Sequence, residues 1–548
     1  DSDSAGAGAS GVAVNGLIAS NLVLSAAEAI LHDSVVESGE GGLSVTAQNE
    51  SSIDALNTAA TESSGVAVGV VLAFNSIGWK ATNLLYGVID TFLGTDAIGG
   101  EQPASVSASI EGSEISISGD LTLTAVSVPQ IEATVINTVA SSGAAAVGFV
   151  LASNLSSSTA EVVFRPAEDS TVTVGGSLES RASDTGAISA RIGGSASSSG
   201  GASVGGKLVR HDVRSAVSIL FDQADIAVEG DLAIDARGSS TITALLTDDP
   251  IELDDEESGE GDAADAAEPP VDNEELPAAE EEPGASMALN GLIATNLVLA
   301  DVRATVRDSS LTAGGDLAVT AKNGSLIEAE NSAVASADGP AIGVTLAFNT
   351  IGWESQNILF NAIDALLGTS IGDEQPAEVQ AGVFASSLEA GGAISVDARA
   401  RERVQAKIYN EATSSGASVS AGMVLASNMI SSRARAEIDA DDQLDPAITA
   451  NAGGGLSVTA EDEAVIEAEA EMVSSSAGAA AVGGLVVRND VRSAVDARMV
   501  DIRAEVGEDL LVLALESASI EATLTGQTSS AASGEEPPAD DPAGAAAD

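Results

Sequence analysis

Apolar and polar residues alternate with a period of two over much of the chain. Leu43–Ala47 reads Leu-Ser-Val-Thr-Ala, and Leu317–Ala321 and Leu456–Ala460 keep the same apolar positions. Because successive side chains of a β-strand point to opposite faces, this alternation predicts strands with one apolar face. Strands this short do not bury a face alone, so each requires an equivalent strand stacked above and below it.

Repetition at two lengths shows where these strands recur. Ala13–Leu24 returns as Ala288–Leu299, and Asp212–Val217 returns as Asp490–Val495. The chain is therefore two tandem copies, about 275 residues apart. Each copy contains four shorter units, and each unit carries three landmarks. The first is a small-apolar strand ending in Leu-Ala-x-Asn or a variant. The second is Gly-x-(Leu/Ile)-x-(Val/Leu/Ile)-x-Ala or a near variant, and the third is Ile-x-Ala or Val-x-Ala, which begins ten residues after the first apolar residue of the second.

The regular spacing predicts an all-β fold. We expect an elongated parallel β-solenoid of stacked short strands, with one backbone path traversed eight times. Whether one unit forms one wide coil or two narrow ones is left open by the pattern. We expect the first copy at residues 1–246, an acidic linker or loop at 247–284, the second copy at 285–526 and an acidic tail at 527–548. The linker holds seventeen Asp or Glu, five Pro and no basic residue, a composition typical of an extended, self-repelling segment.

One insertion interrupts the same unit of each copy, at about 78–103 and about 352–376. Its apolar residues follow helical spacing, which predicts a short helix. The helix either packs on its own solenoid or contacts a neighbouring chain, since aromatic residues are enriched in interface cores. The candidate interface residues are Trp79, Leu85, Val88, Phe92, Trp353, Leu359, Ile363 and Leu366.

The first landmark ends in a polar residue in every unit. A row of stacked amides would satisfy its own hydrogen bonds along the solenoid, so we predict a structural ladder rather than a row of ligand sites. His211 takes the position in one unit, and the predicted members of the ladder are Asn21, Asn75, Asn154, Asn296, Asn349, Asn428 and Asn489.

Composition excludes several classes of protein. The chain has 83 acidic and 21 basic residues and a formal net charge of −62, which opposes binding to nucleic acid. It has no Cys, so disulfide and thiolate chemistry are excluded. The apolar content of 44% is too high for a disordered acidic chain. No apolar run is long enough to span a bilayer as a helix, so no transmembrane segment is predicted.

Candidate chemistry is sparse, and no catalytic residue is predicted. Gly201–Gly205 matches a Gly-x-Ser-x-Gly pattern but lacks the strand–turn–helix context that this motif needs. Arg399, Arg401 and Arg403 share one strand face; they are either a row that binds acidic sugars or a solvated face paired with carboxylates, and the net charge favours the second. A calcium site or a solvated turn is expected at the carboxylates Asp439, Asp441, Asp442 and Asp445.

The segments Gly314–Ala321 (Gly-Gly-Asp-Leu-Ala-Val-Thr-Ala) and the recurring Ala-Val-x-x-x-Leu-Ala-x-Asn strands resemble very large repetitive bacterial surface proteins. These include filamentous haemagglutinin-like and leukotoxin-type filamentous adhesins. The resemblance implies a secreted β-helical rod at the cell surface. We therefore expect a non-enzymatic structural protein of an extracellular bacterial fibre, sheath or matrix, whose partners are copies of itself. The alternatives are a surface adhesin that binds carbohydrate or another surface and, third, a β-helical polysaccharide-processing enzyme.

Overall fold

The computed structural model describes residues 2–5, 11–80, 100–248, 287–353, 374–416, 418–440, 449–478 and 480–531. These residues form three parallel sheets and contain no helix. Successive strands of each sheet pair with their equivalents in the next unit, so the predicted parallel β-solenoid is confirmed. The predicted helical parts of the two insertions lie outside the described residues.

Each unit is one rung of the solenoid. In the fifth rung the chain runs through Met287–Arg307 in sheet II, Ser310–Ala313 in sheet III and Leu317–Ala337 in sheet I, and then enters sheet II again at Ala341. The three sheets therefore enclose one interior. Neighbouring rungs are about 4.8 Å apart along the axis, the usual spacing of paired strands.

Sheets I and II form the two long walls. Sheet I contains β1 (Ser2–Ala5), β5 (Leu43–Ser63), β11 (Leu121–Ser141), β14 (Leu178–Ser198), β17 (Leu232–Thr247), β20 (Leu317–Ala337), β24 (Ile394–Ser414), β27 (Leu456–Ser476) and β30 (Leu510–Ser530). Sheet II contains β2 (Val12–Val23), β3 (Ala26–His32), β6 (Val66–Ile77), β9 (Ala104–Glu111), β12 (Ala145–Arg165), β15 (Ala202–Asp222), β18 (Met287–Arg307), β21 (Ala341–Ile351), β22 (Ala377–Phe384), β25 (Val419–Asp439) and β28 (Ala480–Val500).

Sheet III closes one edge of each rung with a four-residue strand. Its members are β4 (Val35–Ser38), β10 (Glu114–Ile117), β13 (Thr171–Val174), β16 (Asp225–Val228), β19 (Ser310–Ala313), β23 (Ser387–Ala390), β26 (Thr449–Ala452) and β29 (Arg503–Val506). A separate antiparallel pair, β7 (Trp79–Lys80) and β8 (Gly100–Glu101), stands at the base of the first insertion.

The expectation of short strands is wrong for sheets I and II. Most of their strands are 21 residues long, with a contour length of about 70 Å at 3.3 Å per residue. Leu121 of the second landmark and Ile131 of the third lie on the same strand. Ten residues is an even separation, so both side chains point into the interior. Each unit is thus one wide coil.

The two sequence copies share continuous sheets. At the boundary β15 pairs with β18, β16 with β19 and β17 with β20, in the same register that joins rungs within a copy. The predicted segment limits shift slightly. Strand β17 runs to Thr247, inside the segment predicted as linker, and β30 runs to Ser530, inside the predicted tail.

The interior contains two apolar columns that run along the axis. One joins the first residues of the sheet I strands, such as Leu121 and Leu123, to sheet III and to the ends of the sheet II strands. The other lies deeper and joins Ile131 and its equivalents to sheet II residues such as Val150. Burial of these Leu, Ile, Val and Ala side chains is the main favourable contribution to stability, at roughly 25 cal/mol per Å² of apolar surface.

The corner between sheets II and III uses a left-handed residue in several rungs. Asp33, Gln223, Asp308 and Asp501 have φ between 47° and 54° there. Gly112 adopts φ 58° at this corner in the second rung, whereas Ala385 adopts φ 47° at the equivalent corner of the second copy. Alanine has no polar side chain to compensate the steric cost of this conformation, so Ala385 is strained.

Candidate functional site

A column of side-chain hydrogen bonds runs through the second apolar column on the sheet II side. Where two asparagines follow one another in successive rungs, Nδ2 of the first donates to Oδ1 of the second, at 2.7–2.9 Å. Between the terminal rungs these side chains are almost completely buried. The structure therefore brings together the positions that the sequence assigned to a ladder: Asn21, Asn75, Asn154, His211, Asn296, Asn349, Asn428 and Asn489.

His211 continues the direction of this column. Its Nδ1 lies 2.9 Å from Oδ1 of Asn296, whose own Nδ2 donates to Asn349. Nδ1 of His211 must therefore carry the proton, which leaves Nε2 as an acceptor. Asn154 lies opposite His211 in the preceding rung. Among the described residues, Asn154 Nδ2 and His211 Nε2 have no hydrogen-bond partner. Burial lowers the pKa of His211 to about 4, so the imidazole is neutral at pH 7.

A polar seam separates the two apolar columns. It is formed by inward-facing residues in the middle of the 21-residue strands. These are the seventh and ninth residues of the sheet I strands and the fourteenth residue of the sheet II strands. Ser158 donates to Asp184 at 2.7 Å, and Ser432 donates to Asp462 at 2.9 Å. Glu402 accepts from Asn323 Nδ2 at 2.9 Å and from a backbone N–H at 3.0 Å.

The carboxyl groups of the polar seam have perturbed acidity. Burial raises the pKa of Asp184 and of Asp462 to about 6, and the pKa of Glu402 to about 7. Hydrogen bonds from the neighbouring hydroxyl and amide groups oppose this rise without cancelling it. The seam is thus a source of pH-dependent stability inside the solenoid.

The base of the first insertion is held to the outer face of sheet II by an insertion clamp of Trp79, Glu101, Arg210, Asp212 and Arg214. The guanidinium of Arg214 lies 4.6 Å from the centre of the Trp79 ring and its Nη1 lies 3.1 Å from Glu101 Oε2. Arg214 and Arg210 both bond the buried carboxylate of Asp212, at 3.1 and 2.8 Å. The clamp joins strands of the second and fourth rungs.

The second copy repeats the insertion clamp with Trp353, Glu374, Arg488, Asp490 and Arg492. The ring-to-guanidinium distance is again 4.6 Å, and Arg492 Nη1 lies 3.0 Å from Glu374. The sequence showed the repeated Asp-Val-Arg-Ser-Ala-Val segment without indicating this role, because the partners are more than a hundred residues apart. The insertion clamp could have been predicted from two features that each occur once per copy, a Trp and an Arg-x-Asp-x-Arg segment.

Each insertion leaves the rung through a left-handed glycine. Gly78 has φ 74° and Gly352 has φ 76°. A Cβ atom on Gly78 would lie 2.1 Å from the carbonyl oxygen of Ser157 in the next rung. Glycine is required here both for the backbone conformation and for the close approach.

The candidate interface residues separate into two groups. The side chains of Trp79 and Trp353 are 4% and 3% exposed and are held within the chain by the insertion clamps. The others lie outside the described residues: Leu85, Val88, Phe92, Leu359, Ile363 and Leu366.

The candidate calcium cluster falls mostly outside the described part of the chain, which includes Asp439 but not Asp441, Asp442 or Asp445. Asp439 lies 3.9 Å from Arg498. No group of three or more potential metal ligands occurs among the described residues. The calcium site stays a prediction.

A buried ion pair marks the boundary between the copies. Lys207 points into the interior and pairs with Asp248, the residue that follows β17. Asp248 also accepts hydrogen bonds from Asn290 Nδ2 and, at 2.6 Å, from the backbone N–H of Val334. The equivalent of Lys207 in the second copy is Leu485, so this ion pair has no counterpart in the last rung.

The Gly-x-Ser-x-Gly serine lies within strand β15, where the Ser203 hydroxyl donates to the carbonyl of Ala196. None of the described residues forms a helix with the length and apolar character needed to cross a bilayer.

Comparison of the chain with protein-family models, with curated proteins and with solved structures finds no match in any of the three.

Proposed function

We propose that the chain is a structural element of an extracellular bacterial fibre, sheath or matrix. One observation supports this proposal above the others. All eight rungs, including those at the boundary of the two copies, stack in one register with continuous backbone pairing. A repeat whose boundary is bonded like its interior adds length without adding a flexible joint.

The interior also suits a mechanical role. Parallel pairing between neighbouring rungs loads many backbone hydrogen bonds together when the solenoid is stretched along its axis. The asparagine column adds a side-chain hydrogen bond between most successive rungs. The net charge of −62 keeps such units soluble and apart from one another.

The extracellular location is inferred from the resemblance to large bacterial surface proteins. It is tested by labelling intact cells with an antibody raised against the purified chain. Labelling without permeabilisation is the expected result. Labelling that requires permeabilised cells would place the protein inside and would refute this part of the proposal.

The assembly is tested by electron microscopy of the native material and of the purified chain over a range of concentrations. We expect continuous fibres with an axial repeat of about 4.8 Å in their diffraction. Isolated short rods in both samples would contradict the fibre and would favour an adhesin. The ion conditions should be held constant, since the acidic surface makes association dependent on salt.

A further inference from the structure

An open cavity of about 680 Å³ lies on the outer face of sheet I and spans four successive strands, from β14 to β24. Five basic residues line it: Arg181, Arg237, Lys322, Arg399 and Arg401. With Gly324 on its floor, we call it the basic groove. Five of the 21 basic residues of a strongly acidic chain thus meet at one place.

Three of these cations are stacked directly opposite one another. The register of sheet I pairs Arg237 with Lys322 and Lys322 with Arg399. Like charges at adjacent positions of neighbouring strands, about 5 Å apart, destabilise a sheet. The next strand places Glu461 opposite Arg399. The same position of the strand can therefore hold an acidic residue, which gives a stabilising pair of opposite charges. Carboxylates beside Arg237 and Arg399 offset part of the repulsion within the basic column. An anion bound over the column would reduce the remainder.

The arginines of the groove also pair with carboxylates. Arg181 pairs with Glu179 at 2.8 Å, and Arg399 has Glu461 at 3.7 Å. Arg237 pairs with Asp235 at 2.6 Å and Arg399 with Asp397 at 2.9 Å, in each case along one edge. Among the residues that the structure describes, no carboxylate lies within ion-pair distance of Lys322.

Two members of the arginine row that the sequence singled out, Arg401 and Arg403, are paired at the surface. Arg401 is 3.7 Å from Glu463, with both side chains more than half exposed, and Arg403 pairs with Glu467 at 2.5 Å. Exposed pairs of this kind contribute about 0–1 kcal/mol. They orient the guanidinium groups without preventing their contact with a ligand.

The floor of the groove is small and polar. A Cβ atom on Gly324 would meet nothing closer than a carbonyl oxygen at 4.0 Å, so the glycine leaves open space rather than relieving a clash. Ser239, Ser183 and Thr185 line the same depression with hydroxyl groups. The lining contains no aromatic side chain.

We propose that the basic groove binds an acidic polysaccharide that runs along the solenoid axis. Its carboxylates would lie over Arg237, Lys322 and Arg399, whose planar or flexible donor groups suit carboxylate oxygens. Its neutral hydroxyls would meet the serine and threonine hydroxyls of the floor. A nucleic acid fits less well, because its bases find no aromatic side chain to stack on and its dense charge is repelled by the rest of the chain. This binding is independent of the proposed fibre.

The dependence of ligand affinity on salt separates the effect of the groove's cations from that of the chain's net negative charge. At about 0.1 M salt the Debye length is about 10 Å, so a ligand in the groove interacts mainly with the lining. At much lower salt it also experiences the repulsion of the whole acidic surface. Affinity should therefore pass through a maximum at intermediate salt, whereas a ligand bound to an isolated basic patch on a neutral protein loses affinity throughout.

The test measures fluorescence anisotropy of a labelled galacturonate oligomer with the full chain. Replacement of Lys322 by Gln imitates Gln48, the residue at the same position one copy earlier, and should weaken binding about tenfold through the lost charged hydrogen bond. Gly324→Thr fills the floor without changing the charge and should weaken binding to a similar extent. Arg503→Gln makes the same charge change on an exposed residue of sheet III and should leave binding unchanged.

Several results would overturn the proposal. These are absence of binding by the wild-type chain, equal weakening by all three variants including Arg503→Gln, and equally tight binding of neutral dextran or of poly-dT. Preferential binding of a synthetic peptide with the sequence of residues 249–284 would assign the groove to an acidic protein segment instead. Circular dichroism melting of each variant separates a lost contact from a lost fold, and Gly324→Thr provides the second probe if Lys322→Gln is unstable.

Discussion

Replacing His211 by Asn should make the solenoid less sensitive to acid. His211 is the one residue that interrupts the asparagine column, and it is completely buried. An asparagine at position 211 would lie between Asn154 and Asn296. It would then have an asparagine on each side, as Asn75, Asn349 and Asn428 do. It also offers an Oδ1 acceptor to the Nδ2 atom of Asn154, which has no partner among the described residues.

The size of the effect follows from the histidine pKa. The unfolded chain binds a proton at His211 near pH 6.5, whereas burial holds the folded-state pKa at about 4. The folded-state pKa is the lower one, so the stabilising contribution is complete above pH 6.5 and is lost as the pH falls to 4. A difference of 2.5 units corresponds to about 3 kcal/mol at 1.36 kcal/mol per unit. At neutral pH the added hydrogen bond should make His211→Asn more stable by about 1 kcal/mol.

The assay compares urea unfolding midpoints of the wild-type chain and His211→Asn at several pH values between 4 and 8. The midpoints give the free energy of unfolding of each protein. The difference between the two free energies should widen by about 3 kcal/mol as the pH falls, since the other titrating groups cancel in the difference. His32→Asn is the control, because His32 is exposed. This variant should have the same dependence of stability on pH as the wild-type chain. Parallel curves for wild type and His211→Asn would refute the buried, neutral imidazole.

Four further outcomes are expected. Asp462→Asn should stabilise the chain by about 3 kcal/mol at pH 8 and by nothing below about pH 4, because burial raises the pKa of the carboxyl from 3.8 to about 6 and so stability falls as the pH rises through that range; an unchanged pH profile of thermal melting would contradict this. Ala385→Gly should add about 1 kcal/mol and Gly112→Ala should remove at least as much, since both positions are left-handed; denaturant midpoints decide. Arg214→Met should cost about 3 kcal/mol and Arg492→Met about 1, because Asp212 is wholly buried and Asp490 is 23% exposed; equal losses followed by tryptophan fluorescence would argue against the difference in burial. Raising NaCl from about 10 mM to about 0.5 M should raise Tm by several degrees, because screening reduces the repulsion among the acidic side chains.

The repeated path was predictable from sequence because burial imposes a period on it. The alternation in Leu43–Ala47 and the spacing of ten residues between landmarks both reflect inward-facing positions of one strand. The length of the strands was not predictable in the same way. Residues between the landmarks, such as Ser127 and Asp184, are polar yet point inward, so the apolar alternation that predicts a strand is interrupted there.

The asparagine column was predictable because the same residue type recurs at one place in each unit. The insertion clamp was not, because Trp79 and Arg214 are brought together by the stacking of the second rung near the fourth. The basic groove was visible only in part. Arg399 and Arg401 were apparent within one strand, but their alignment with Arg237 and Lys322 depends on the register between strands.

The hydrogen bonds of the asparagine column share one direction along the solenoid axis. In a strand the backbone dipoles alternate and largely cancel, whereas every resolved hydrogen bond of this column points the same way, from Asn21 towards Asn489. Aligned amides polarise one another and strengthen each bond, so the core carries a cumulative electric polarity along the axis. The two ends of such a rod are chemically distinct, and side-by-side rods are electrostatically favoured when they lie antiparallel.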